Sequence, residues 1–150
     1  MNKSFVLLCS FVFIVMSMGI CHAADIEVTL ECPENVTVGT PLDVIVTKIV
    51  NDEDPADPES SPAIIGHALV GLGGNMGNSI TGIALFGPFS RPFSLTVQPG
   101  QTVNGPWVIR IIDKVPTSLG GKVAMATVGF TTASYSKMFA GEGCGVNVRK

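Results

Sequence analysis

Five carboxylates, Asp52, Glu53, Asp54, Asp57 and Glu59, crowd into residues 52–59 without one cation among them. Hard oxygen donors at that density can hold Ca²⁺, and Asp52, Asp54 and Asp57 are the candidate ligands. An EF-hand needs Gly at its sixth loop position, and Ala56 and Asp57, set between Pro55 and Pro58, do not fit. The competing reading is a solvated loop between two elements.

Other chemistry is sparse. Beyond residue 23 the only histidine is His67, flanked by Gly66 and Ala68 in an apolar run. A serine hydrolase needs such a base, and Ser79, Ser90, Ser94 and Ser118 are available, but no Gly-x-Ser-x-Gly elbow occurs. A strand histidine satisfied by a neighbour is the plainer account. The stretch GLGGNMG (residues 71–77) invites a phosphate-loop reading, yet Met76 stands where the third glycine belongs. A flexible hairpin or bulge suits it better. Cys144 is followed by GVNVRK, so the Cys, His and Met cluster of a copper site is absent. Met76, Met125 and Met138 are scattered and read as gap fillers. No catalytic residue, cofactor or metal is expected beyond the calcium candidate. A small secreted hydrolase, resting on His67 and the acids, is one alternative.

The chain begins like an exported protein. Lys3 precedes the apolar stretch 5–20, which is shorter than the ~20 residues of a bilayer span. Cys21 and Ala23 then make a small-x-small end, completing a signal peptide over residues 1–23. Ile20 stands before Cys21 where lipidation needs a small residue. Residues 24–150 are left as one domain, secreted or periplasmic, with no further run long enough to span a membrane. The pair Cys32 and Cys144 reads as a disulfide in an oxidising compartment. One histidine and two cysteines make too few ligands for zinc. The triplet Asn35-Val36-Thr37 is a glycosylation acceptor only in a eukaryotic secretory route. A net charge of −3 and a pI near 5.2 give no footprint for nucleic acid.

The elements that must position these residues are strands. Ile26, Val28, Leu30 and Cys32 alternate with Glu27, Thr29 and Glu31, the period of a half-buried strand that Pro33 ends. Residues 42–50 are almost all β-branched or leucine, as a central strand requires. Further strands are expected at 63–72, 80–86, 93–97, 107–111, 123–131 and 144–148, with Gly and Pro in every gap. No stretch keeps a capped 3.6-residue period, so no long helix is expected. An all-β chain of about 7–8 strands, folded as an antiparallel sandwich, follows. Trp107 shares a strand face with Ile109 and Ile111 and is expected as a core anchor.

The segments ECPENVTVGTPLDVIVTKIVN and LTVQPGQTVNGPWVIRIIDKVPTSLGGKVAMATVGF resemble bacterial immunoglobulin-like modules of the cell-adhesion-related type. The likeness runs from Ile26 to about Thr132; GLGGNMG and LFGPFSRPF are longer and more apolar than those modules show. The resemblance implies an Ig-like sandwich with a binding, adhesive or spacer role at a protein or cell-surface partner, and no catalytic residues. A subunit of a surface filament, capable of self-association, is the other alternative, suited by low charge and apolar Gly-rich loops. In LFGPFSRPF (residues 85–93), Pro88 and Pro92 predict a surface loop. Phe89 and Arg91 are its candidate partner contacts. Phe89 folded back as a plug of the open end is the competing reading.

Overall fold

The computed structural model describes residues 26–75 and 83–150. The leader expected over residues 1–23 lies outside them, as do Met76 and Ser79. The strands are β1 (Ile26–Glu31), β2 (Asn35–Thr37), β3 (Leu42–Asn51), β4 (Ala63–Asn75), β5 (Ile83–Val97), β6 (Thr102–Ile112), β7 (Val123–Thr131) and β8 (Met138–Arg149). One turn of 3-10 helix, Thr117–Leu119, lies between β6 and β7. β1, β3 and β6 form a three-stranded sheet in that order, and the others form a five-stranded sheet in the order β2-β8-β7-β4-β5. The larger sheet curls into a half-barrel.

Among the described residues all pairings are antiparallel except one. β2 runs parallel to β8, with Asn35 opposite Asn147 and Thr37 opposite Arg149, which corrects the purely antiparallel expectation. Pro33 stops β1, and the chain crosses to the edge of the other sheet before turning back at Gly39, whose φ is +77°.

Alternation decides which side chains meet. In β1, Ile26 and Val28 are buried while Glu27, Thr29 and Glu31 face out. In β3, the central strand, Leu42, Val44 and Val46 point inward. An irregularity against β6 between Val46 and Lys48 then shifts the phase, so Ile49 turns inward and Lys48 does not. These residues and Ile111 meet Ile65, Val70, Leu72 and Phe130 of the larger sheet in one core. Burying each such side chain contributes about 1.5–3 kcal/mol.

The largest departure from expectation is β5. Two short strands separated by a proline loop were the reading for residues 80–97; a 15-residue strand pairs with β4 instead. Two features accommodate its prolines. β5 is the edge of its sheet, where a missing N–H need not break a ladder. The register also slips twice, between Phe86 and Phe89 and between Pro92 and Leu95, placing extra residues beside each proline.

The acidic loop is rooted in the core by Asn51, which is fully buried. Its Nδ2 donates to Val97 O at 3.1 Å and Ser61 O at 3.3 Å, and its Oδ1 accepts from Glu53 N at 3.1 Å. Both amide functions are therefore satisfied, which a buried polar group requires.

Candidate functional site

β5 and β6 are the edges of different sheets and stand side by side on one flank of the molecule. Between them opens a cleft of about 590 Å³, walled by residues 91–94 of β5 and 106–110 of β6. A volume of that order suits a ligand or a short peptide segment.

Arg91 spans the gap. Along β5 the less exposed residues are Arg91, Phe93, Leu95 and Val97, with Pro92, Ser94 and Thr96 facing out. The Arg91 Nε donates to Arg110 O at 2.8 Å and its Nη2 to Ile111 O at 3.4 Å. Its guanidinium also lies 5.7 Å from the ring centre of Phe89. Among the described residues no carboxylate pairs with it; the ion pairs there belong to Arg110. Arg91 thus lines the cleft without an ion-pair partner among the described residues and has N–H groups left to donate.

Trp107 forms part of the opposite wall. Its ring meets Phe93 edge-on at 5.7 Å, and Phe93 in turn packs 4.9 Å from Phe130. Ile109 and Ile111 are buried as expected, but Trp107 is only half-buried because it sits on an edge strand beside the cleft. The expectation of a full core anchor is corrected accordingly: the residue anchors with one part of its ring and is open to the cleft with another.

Arg110 is already neutralised. It bonds to Asp43 through Nε and Nη2 and to Asp113 through Nη1 at 3.0 Å. The Asp43 hydrogen bond, and after it that of Asp113, hold its pKa above the usual arginine value.

The remaining candidates are dispersed. Phe89 lies in a strand, not a loop, is 38% exposed, and touches the cleft only through its contact with Arg91. Asp54 Oδ1 accepts from Ala56 N and Asp57 Oδ1 from Glu59 N, both at 2.9 Å. These carboxylates brace the loop's own turns, and the Ser60 hydroxyl adds a bond to Asp54 O at 2.6 Å. Among the described residues no three potential ligands gather into a group that could hold a metal ion.

His67 stacks on Tyr135 with ring centres 4.7 Å apart and planes 6° from parallel. The Ser90 hydroxyl bonds to Tyr135 OH at 2.8 Å, so the serine beside this histidine pairs with the phenol. Ser94 lines the cleft and Ser118 lies in the 3-10 turn, away from this stacked pair. Sequence reasoning passed over Tyr135, which has φ +57° in the turn after β7. The cluster of Thr132, Ser134 and Ser136 around it was the available signal, and their hydroxyls do bond to one another.

Cys32 and Cys144 are joined in the expected disulfide, with Cα atoms 6.3 Å apart. The bridge ties the residue after β1 to the middle of β8, on the opposite flank from the cleft.

No protein-family model and no curated protein sequence matches this chain. Among solved structures it is similar to Spo0M, a sporulation control protein from Bacillus subtilis, with a TM-score of 0.53 at 14% identity. That similarity covers 86% of this chain but only half of the Spo0M chain, and it bears on the β-rich fold alone. A β-glucosidase from Listeria innocua matches with a TM-score of 0.44 at 17% identity, over 83% of this chain and 16% of its own. Among the described residues no helix is long and apolar enough to cross a membrane.

Proposed function

We propose that the protein is a non-catalytic, extracytoplasmic interaction module with an Ig-like arrangement of its two sheets. It takes a protein or cell-surface partner at the flank between β5 and β6. The observation that carries this reading is the cleft itself, where a half-buried tryptophan faces an arginine that lacks a carboxylate partner among the described residues. Tryptophan and arginine are the residues in which interface energy concentrates. The signal-peptide pattern expected over residues 1–23 and the Cys32–Cys144 bridge support an oxidising compartment.

Three of the four sheet edges support recognition through side chains over addition of a strand. β2 is three residues long, β5 carries Pro88 and Pro92, and β6 is interrupted by an irregularity at Gly105 and Pro106. Short, bulged and proline-bearing edges resist pairing with another chain.

Site-specific photo-cross-linking in the producing cell tests the proposal. Val108 lies on the cleft wall and is 68% exposed, while Val123 on β7 is also exposed but away from the cleft. A photoreactive residue at 108 should give a discrete adduct and one at 123 should not. Fractionation of the same cells should place the protein outside the cytoplasm. Stable, exported protein with no adduct from position 108 overturns the reading.

A further inference from the structure

We propose that the occupant of the β5–β6 cleft is the acidic, proline-bearing loop of a second copy of this chain. The inference rests on the interaction reading above and names its partner.

Charge complementarity comes first. The cleft presents Arg91, whose guanidinium has free N–H groups and no carboxylate partner among the described residues. The loop between β3 and β4 presents Asp52, Glu53, Asp54, Asp57 and Glu59 with no cation in residues 51–62. A carboxylate meeting a guanidinium accepts two parallel N–H bonds, the geometry that arginine favours. Apolar matching is the second element. Pro55, Pro58 and Pro62 punctuate the loop, and proline-bearing segments dock against aromatic walls such as the one Trp107 offers.

The loop is also pre-shaped for docking. Asp54 and Asp57 cap its turns, the Ser60 hydroxyl closes it onto Asp54 O, and Asn51 fixes its root. Residues 54–59 nonetheless remain exposed. A segment already held in shape loses little freedom on binding.

The loop cannot serve its own cleft. Thr102 pairs with Val50 beside the loop's root, whereas Val108 is six residues along β6, about 20 Å away at the rise of a strand. Pro55 is held at the other end against the turn at Gly100. The contact therefore joins two different surfaces of two copies. A contact of that kind propagates unless its rotation closes a ring, so copies would add head to tail.

Sedimentation analysis of the full mature protein at several concentrations tests this, with two variants and their mixture. Asp54→Asn with Asp57→Asn removes two loop charges but keeps the Oδ1 acceptors that cap the turns. Val108→Glu sets a carboxylate at the mouth of the cleft from an exposed position. Thermal melting of both should match the wild type, confirming that each folds.

The wild type should gain average mass with concentration, less so as salt is raised. Each variant should lower the association constant about tenfold or more. Mixing the two should restore one complex of a single copy of each, since one supplies an intact loop and the other an intact cleft. A wild type that stays monomeric to about 1 mM overturns this occupant. So does association that neither variant weakens. A monomer that still gives a cross-link from position 108 to another protein leaves the interaction reading standing and removes only the second copy.

Discussion

The two flanks of this molecule close in opposite ways. On one, β1 and β8 come from different sheets and are joined covalently through Cys32 and Cys144. On the other, β5 and β6 also come from different sheets, and Arg91 and the contact of Phe93 with Trp107 bridge them without a covalent link. A covalent clasp holds in any non-reducing solvent. A polar and aromatic seam leaves a cleft and an unpaired charge, so it is the flank at which another molecule can bind. Under the proposed function, stability and recognition fall on different sides of one core.

Breaking the covalent flank should have the largest effect. The bridge closes a sequence separation of 112 residues, for which the chain-entropy model gives about 5 kcal/mol. Cys32→Ala with Cys144→Ala should lower unfolding free energy by about 3–5 kcal/mol in a denaturant titration. A loss below about 1 kcal/mol would show that packing alone holds that flank.

Trp107→Ala on the open flank should rank second. A fully buried tryptophan costs about 3–5 kcal/mol on truncation, and half-burial reduces that to about 2–3 kcal/mol. Its fluorescence should be blue-shifted yet remain open to acrylamide quenching, as a residue on a cleft wall must be. Complete protection from the quencher contradicts the open cleft.

Arg91→Met keeps the aliphatic stem and removes the bonds to Arg110 O and Ile111 O. The expected cost is about 1–2 kcal/mol, read from the same titration. Arg110→Gln comes last. Its pairs with Asp43 and Asp113 are solvent-accessible, so the melting temperature should not change measurably at moderate salt. A larger effect from Arg110 than from Arg91 would reverse the assignment of which arginine closes the seam.

Much of the fold was legible because strand alternation is a local signal. Ile26 and Val28 against Glu27 and Glu31 state a buried and a solvated face within six residues. The cysteine pair was legible from compartment and parity. β5 was not, because Pro88 and Pro92 forbid a central strand but are allowed on an edge. Edge position depends on the order of all five strands, which no window of sequence contains. The parallel placement of β2 beside β8 was hidden for the same reason, since it joins residues more than a hundred positions apart. Ile49 was expected in an apolar strand, but its turn toward the core depends on an irregularity set by the partner β6.

Of the candidate site, Phe89 and Arg91 were singled out by residue type, whereas their setting was misread as a loop. The acidic residues were conspicuous, yet their role was set by backbone N–H groups two positions along that take Asp54 and Asp57 as caps. Those bonds form only once the turns are folded.

By itself the sequence determined an all-β chain, an acidic loop and one cysteine pair beyond residue 23. These follow from period, composition and count, which are properties of neighbouring residues. Only the tertiary structure decided that β5 and β6 would be adjacent edges, that Arg91 would reach the carbonyls of β6, and that Trp107 would be left half open. Each of these depends on how two sheets meet around a shared core, and that meeting is fixed by contacts between residues distant in the chain.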